Sequence, residues 1–275
     1  MKNIITIDLE DWYHCNLGEN NVLEKRNSTV EKNTIEILRL LKKYNAKATF
    51  FSLGTVAEDF PKLIKKIDED GHEVASHGYG HQLVYDLTPE EFAEDIKKSK
   101  KILERIIDKK VIGYRAPSWS IIEQNLWALE ILEKSGFKYS SSIFPIKTFL
   151  YGIPDAPTYP NKPTVNGKQL DIYEFPPGVA NFVIKKLGFS GGFYFRFFPF
   201  FIIKNIIQRE NKKNIPVICY LHPWEIDENP PKLQLKGINK IIHYYGIKRC
   251  KKKFEKLLNT FEFTSIEEYL EKMKK

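Results

Sequence analysis

Residues 3–14 read NIITIDLEDWYH, and this stretch decides the fold. Residues 3–9 are rich in isoleucine and end at carboxylates. A short apolar run that stops at charge is the mark of a strand buried on both faces. Further apolar runs follow at 46–53 (AKATFFSL), 72–76, 111–115, 172–176 (IYEFP) and 216–221 (PVICYL). Between the early ones lie segments of helical periodicity. Ser28 with Glu31 reads as a capping box opening a helix to about Tyr44. Residues 61–69 place Leu63, Ile64 and Ile67 on one face, and Gly71 stops them. Thr88, Pro89 and Glu91 supply an N-cap, a proline at the first helical position and a capping acid. Another helix covers 125–135 and ends at Gly136. Alternating strands and helices predict parallel strands with helices outside, in a barrel or an open sheet.

The later chain is less regular. Residues 142–171 are rich in Pro, Gly and Asn and read as a long surface excursion. The apolar run 193–203 (FYFRFFPFFII) is broken by Arg196 and Pro199, which makes it buried core or an exposed sticky patch. Residues 237–260 read as largely helical, and Ser265 with Glu268 caps a last short helix. No linker divides the 275 residues, so one domain over 1–275 is expected, with a helical C-terminal extension at 237–275.

Composition excludes several classes. Hydrophobic residues are 42% and charged residues 28%, ordinary values for a globular chain. Cys15, Cys219 and Cys250 form no CxxC, which argues against a thiol metal ribbon and for a reducing compartment. No apolar h-region or membrane span is visible, so the expectation is a cytoplasmic protein. Net charge is +8, with much of it in lysine-rich stretches such as 248–256. These read as solvated helix faces, or as peripheral contact with an anionic membrane surface at its inner face. Aromatics do not interleave with these lysines, so no nucleic-acid partner is expected.

Four constellations carry chemistry. Asp8, Glu10 and Asp11 crowd one strand end, and a bound cation is the direct way to relieve their repulsion. His77 and His81 stand in SHGYGH, where Gly78 and Gly80 favour a tight loop over a helix. Two imidazoles and one carboxylate form a site with open positions, as metal-assisted hydrolysis needs. Imidazole suits zinc, cobalt or nickel. Arg115, in YRAPSW, can pair with a carboxylate such as Asp8; Pro117 fixes that loop, and Trp119 offers an apolar wall to a sugar. His222, in YLHPWE, follows a buried strand and titrates near neutrality, as a proton donor must. His14 lies close enough to the acids to contact substrate, and Trp12, Tyr13, Trp119 and Trp224 can hold sugar rings.

TIDLED, SHGYGH, RAPSW, GFKYSSSIFP and LHPW, in this order between residues 3 and 225, resemble the motifs of polysaccharide deacetylases. These carry a NodB homology domain and form carbohydrate esterase family 4. DLEDWYH, EFPP and SGGFYFR look like the subgroup tied to exopolysaccharide biosynthesis. The resemblance implies an α/β fold, a distorted (β/α) barrel with fewer than eight strands. It implies a carbohydrate N-deacetylase holding one divalent metal ion, with zinc the default and Co2+, Ni2+ or Mn2+ open. The substrate implied is an N-acetylated sugar or polysaccharide. His77 and His81 match the metal histidines, and Asp8 matches the catalytic base. Asp11 is the expected third ligand, with Glu10 as the alternative, since alternation sets Glu10 on the side of Asp8. Arg115 matches the arginine that orients the base, and His222 matches the catalytic acid. One departure stands out: Ser140 occupies a position where related sequences often carry an aspartate. The rival readings are hydrolysis of another C–N bond, in a cyclic amide or ureide, and a non-catalytic carbohydrate-binding relative.

Overall fold

The computed structural model describes residues 1–14, 28–148, 151–181 and 186–273, which leaves Cys15 outside the described residues. In chain order it contains β1 (Asn3–Leu9), α1 (Val30–Lys43), β2 (Thr49–Ser52), α2 (Gly54–Asp59), α3 (Pro61–Glu69) and β3 (Glu73–Ser76). These lead to α4 (Pro89–Ile107), β4 (Gly113–Tyr114), α5 (Trp127–Lys134) and β5 (Tyr139–Ser140). Short strands follow: β6 (Thr164–Val165), β7 (Lys168–Gln169), β8 (Tyr173–Glu174), β9 (Val179–Asn181) and β10 (Lys186–Gly188). The chain continues with α6 (Gly192–Phe197), α7 (Phe200–Asn211), β11 (Ile218–Leu221), α8 (Gly237–Tyr244), α9 (Ile247–Thr260), β12 (Phe263–Thr264) and α10 (Ile266–Met273).

Seven strands form one parallel sheet in the order β11-β1-β2-β3-β4-β5-β8, and β12 adds to β1. The sheet is the curled, incompletely closed barrel expected. Its end strands, β8 and β11, do not pair with each other. The loop between them carries two backbone bonds across the gap: Gly178 N–H to Ile218 O at 3.0 Å, and Tyr220 N–H to Ser190 O at 3.1 Å.

Strand alternation sorts the side chains into two cores. In β1, Ile5, Ile7 and Leu9 join the main core, which also takes Ile37 and Leu41 of α1 and Ile96 and Leu103 of α4. Ile4 instead joins a smaller cluster with Phe51, Ala75, Tyr139, Phe175 and Ile218, which fills the barrel. Ile266 and Leu270 of α10 belong to this inner cluster and close its lower end. Thr6 and Asp8 share the parity of Ile4 and are buried above it.

Local chemistry explains most element ends, with three departures from expectation. The Thr88–Glu91 capping box forms, with Glu91 N–H to Thr88 Oγ1 at 3.2 Å and Thr88 N–H to Glu91 Oε2 at 2.8 Å. The Ser28–Glu31 box does not: Thr29 is the N-cap residue and makes no side-chain capping bond. The 142–171 excursion contains a hairpin, β6 with β7, turned by Asn166 (φ 51°) and Gly167 (φ 77°). Asn-Gly with both φ positive is the turn that matches strand twist. The 237–260 helix is two helices, parted at Gly246 (φ 75°).

Near the floor, Glu73 is buried and accepts hydrogen bonds from Thr49 Oγ1 (2.5 Å), Tyr139 Oη (2.6 Å) and Glu267 N–H (3.0 Å). Burial outweighs these donors and pushes its carboxyl up from 4.5 to about 7. The folded state therefore holds this proton more tightly than the unfolded chain. The stabilisation is complete below pH 4.5 and is lost as pH climbs through 7. Urea denaturation across that window should show wild type losing on the order of 3 kcal/mol that Glu73→Gln does not lose. Parallel slopes for the two proteins would contradict this.

Candidate active site at the carboxyl ends of the strands

The site begins with Asp8, near the end of β1. Arg115, the first residue after β4, crosses the barrel to reach it: Arg115 Nη1 donates to Asp8 Oδ1 at 2.5 Å and to Thr6 Oγ1 at 2.9 Å. Its other donors go to Ser141, with Nε on the backbone oxygen at 3.1 Å and Nη2 on Oγ at 2.7 Å. The guanidinium lies 4.1 Å from the Phe51 ring centre and 4.5 Å from that of Trp119. Both partners of the ion pair are buried. Such a pair tolerates loss of neither member, because the survivor is left as an unpaired buried charge.

Glu10 lies two residues on, just past the strand. Its N–H turns back to Asp8 O at 2.9 Å, which keeps the carboxylate on the barrel side. His81 Nε2 is 2.6 Å from Glu10 Oε2, and His77 Nε2 is 3.8 Å from the same atom. These three buried residues each bring a ligand atom within 4.8 Å of the others. His77 Nδ1 lies 2.9 Å from the Arg115 carbonyl, so it carries the proton and leaves the Nε2 lone pair facing the carboxylate. The loop reaches this geometry through left-handed residues, Gly78 (φ 78°) and His81 (φ 61°). A left-handed histidine is strained and occurs where surroundings enforce it. Burial holds His77 near 4, the neutral form a ligand requires. Burial alone would raise the Glu10 carboxyl, but His81, His222 and His77 outweigh it and hold it well below the usual range. One carboxylate and two imidazoles suit zinc and its transition-metal neighbours.

Asp11, the expected third member, is placed elsewhere. Its carboxylate accepts from Trp12 N–H (2.9 Å) and from Thr29 N–H (3.2 Å) and Oγ1 (3.3 Å). It ties the entry of α1 to the strand end, while Glu10 stands with the histidines.

His222 follows β11 on the opposite side. Its Nε2 is 3.8 Å from Asp8 Oδ2 and 3.7 Å from Glu10 Oε1. Behind it, Nδ1 bonds Glu225 Oε2 at 2.9 Å, and Glu225 Oε1 accepts from Arg196 Nε at 2.6 Å. Arg196 Nη1 and Nη2 then donate to the carbonyls of His243 (2.9 Å), Tyr245 (2.5 Å) and Ile242 (2.9 Å). Burial lowers the affinity of His222 for its proton, but Glu10, Glu225 and Asp8 outweigh it and carry it up to about 9. Glu225 and Arg196 were not singled out from sequence. Glu225 stands three residues after His222, and its carboxylate also caps the His222 N–H. Ser140 has no acidic partner role here; its hydroxyl meets Ser142 Oγ at 2.8 Å, and the acid beside His222 is Glu225.

A cavity of about 380 Å³ opens over these groups. Its lining includes Asp8, Glu10, His77, His81 and His222, with His14, Trp119 and Trp224 among the residues expected to touch substrate. Trp12 and Pro117 are buried and do not line it. Trp224 stacks between His222 (ring centres 5.4 Å) and His243 (4.4 Å). Among the described residues, Trp224 Nε1 and both His243 ring nitrogens are buried at the cavity edge without a hydrogen-bond partner.

Titration calorimetry with Zn2+ or Co2+ separates the two acids. Glu10→Gln and His77→Ala should each weaken binding at least roughly tenfold. Asp11→Asn should leave affinity unchanged while costing about 1 kcal/mol of stability through the lost bonds to α1. An affinity loss confined to Asp11→Asn would return that residue to the ligand set.

Comparisons with known proteins bear on the sequence family and the fold. Residues 25–140 match the family model Polysaccharide deacetylase, and residues 141–271 match Domain of unknown function DUF3473. The chain is 31% identical over 151 residues to a peptidoglycan deacetylase of Helicobacter pylori, covering 51% of this chain and 50% of that one. It is 39% identical over 98 residues to a peptidoglycan-N-acetylglucosamine deacetylase of Bacillus cereus, covering 35% and 36%. The matches thus span half or less of these relatives. The fold is similar to the crystal structure of a putative polysaccharide deacetylase from Mycobacterium smegmatis, with TM-score 0.63 and 16% identity, over 98% of this chain and 88% of that one. His77, His81 and Arg115 lie in the first matched segment; Arg196, His222 and Glu225 lie in the second. Residues 25–140 are therefore similar in sequence to polysaccharide deacetylases, and a DUF3473 segment continues them over residues 141–271.

Proposed function

We propose that this protein is a metal-dependent carbohydrate N-deacetylase, releasing acetate from an N-acetylated amino sugar of a polysaccharide or its precursor. The observation that carries the reading is the pairing of two separate devices at one cavity. Asp8 is anchored by Arg115, and His222 is charged by Glu225, with Asp8 Oδ2 and His222 Nε2 3.8 Å apart. Binding alone requires neither a pinned carboxylate nor a protonated imidazole. The two matched segments build one sheet, with β2–β5 from the first, β8 and β11 from the second, and β1 between β2 and β11. The subgroup segments EFPP and SGGFYFR point to an exopolysaccharide as the substrate class.

Glu10, His77 and His81 would hold the cation. When bound, a divalent cation supplies Lewis-acid polarisation to the acetamide carbonyl and makes water more acidic. The protein's own groups do the rest. Asp8 takes a proton from water as the water attacks the carbonyl carbon, and Arg115 keeps that carboxylate aimed at the cavity. His222, protonated at neutral pH, gives its Nε2 proton to the leaving nitrogen. The C–N bond breaks to acetate and a free amine. Glu225 and Arg196 are positioning residues that fix the His222 ring and stabilise its charge.

The test is acetate release from chitooligosaccharides and bacterial N-acetyl sugars by the metal-loaded protein. His222→Ala should lower kcat on the order of 10²–10⁴-fold. Failure to release acetate from any of these with Zn2+, Co2+, Ni2+ or Mn2+ would sink the reading. The pH profile gives a finer check. Glu225→Gln removes a charge that raises His222, so the alkaline limb of kcat/KM should move to lower pH. A limb left where it was would remove Glu225 from this role.

A further inference from the structure

Outside the catalytic cavity, one surface combines two properties. The first is apolar exposure. Phe197 is 49% exposed, Phe201 64%, Ile238 64% and Ile241 55%, and Tyr245 is exposed beside them. Among the described residues, nine large hydrophobics are exposed, and these five make up most of them. They form a surface, not scattered points. Phe193 stacks on Phe197 with ring centres 5.5 Å apart, and Tyr245 meets both, at 6.2 and 5.7 Å. Ile238, Ile241 and Tyr245 follow the i, i+3, i+7 spacing of one helix face. Phe193 and Ile242 also line the catalytic cavity, so the crest is continuous with its rim.

The second property is charge. The crest residues lie within 192–208 and 236–254, and neither stretch contains an Asp or Glu. Together they hold nine Lys and Arg residues; Arg196 is paired with Glu225, Lys251 with Glu36 and Lys253 with backbone carbonyls, which leaves six cations for the surface. Lys236, Lys240, Lys248 and Lys252 are exposed on the same helices as the crest or their flanks.

The crest is also held rigidly. Arg196 binds three carbonyls at the end of α8, and Lys253 Nζ caps the end of α6 at Phe195 O (2.9 Å), Arg196 O (2.9 Å) and Phe198 O (2.8 Å). Two buried or half-buried cations thus fix a backbone whose aromatic side chains point outward. Aromatic and aliphatic side chains in a field of lysines, with no acid among them, match the interface of an anionic bilayer. A protein partner of ordinary composition would meet acids and bases in both directions; a headgroup layer presents one sign.

We propose that this crest docks the protein peripherally on an anionic phospholipid surface and brings the rim of the catalytic cavity to the headgroup layer. Ile238, Ile241, Phe197 and Phe201 enter the acyl boundary, and the lysines of α8 and α9 meet the phosphates. This docking is independent of the deacetylase reading, because it is measured without turnover.

The experiment is co-sedimentation of the full chain with vesicles of phosphatidylcholine alone and of phosphatidylcholine mixed with phosphatidylglycerol. Binding to the mixed vesicles, falling with added salt, and little binding to phosphatidylcholine alone is the expected result. Phe197→Ser with Phe201→Ser, and separately Lys240→Glu with Lys248→Glu, should each reduce partitioning by about tenfold or more. Both double variants should keep the wild-type melting curve and metal affinity. No binding to the mixed vesicles, or binding that survives both double variants, overturns the proposal. So does a wild-type dimer in light scattering that Phe197→Ser with Phe201→Ser converts to monomer, since the crest would then bury itself against a second copy.

Discussion

The buried ion pair between Asp8 and Arg115 is the constraint around which the site is organised. Arg115 cannot reach solvent from inside the barrel, so every donor of its guanidinium that matters must find an acceptor within the fold. Those acceptors come from two strands far apart in the sheet, Thr6 and Asp8 on β1 and Ser141 after β5. One side chain thereby fixes the spacing of the two sides of the barrel mouth. Its backbone carbonyl also sets the tautomer of His77. The anchored carboxylate and the first imidazole are therefore positioned by a single residue, and neither can shift without the other.

The opposite wall is organised by alternating charge. His222, partly exposed to the cavity, leads into buried Glu225 and Arg196, a row that ends on backbone carbonyls. The Glu225 and Arg196 charges are desolvated, and each charge in the row is compensated by the next, which is the condition under which burial of ions is tolerated. The outcome is asymmetric. Burial leaves His77 neutral, whereas the carboxylates around His222 keep it protonated. Two imidazoles facing one cavity are thus driven to opposite protonation states by their partners, the separation that the proposed acid and ligand roles require.

Much of this was legible in the sequence because parity in a strand is rigid. Counting by twos from Ile4 places Thr6, Asp8 and Glu10 on the barrel side, and the structure follows that count one residue past the strand. Asp11, preferred for its ligand chemistry, instead accepts from the Trp12 N–H and from Thr29 at the start of α1, and Glu10 stands with the histidines. Ser28 and Glu31 had the letters of a capping box, yet Asp11 already satisfied Thr29 from outside the helix, a contact eighteen residues away that no local pattern records. Glu225 was hidden differently. It sits in a segment read for its histidine, and its value depends on Arg196, which comes from an apolar run whose only visible feature was its interruption. The Phe193–Ile203 run divides between the two: Phe195 and Ile203 are core, and Phe197 and Phe201 are exposed.

The pairing of β1 has a consequence for how the chain is made. β1 is covered on one edge by β2, some forty residues downstream, and on the other by β11, more than 200 residues later, with β12 completing its first two positions. During vectorial synthesis the most isoleucine-rich strand of the protein therefore waits with an open hydrogen-bonding edge while most of the polypeptide emerges. Such an edge is a template for pairing with a neighbouring nascent chain. Shielding in that interval falls to whatever holds unfinished polypeptides apart, so yield in a crowded translation system should be limited by chaperone supply more than by the stability of the finished molecule.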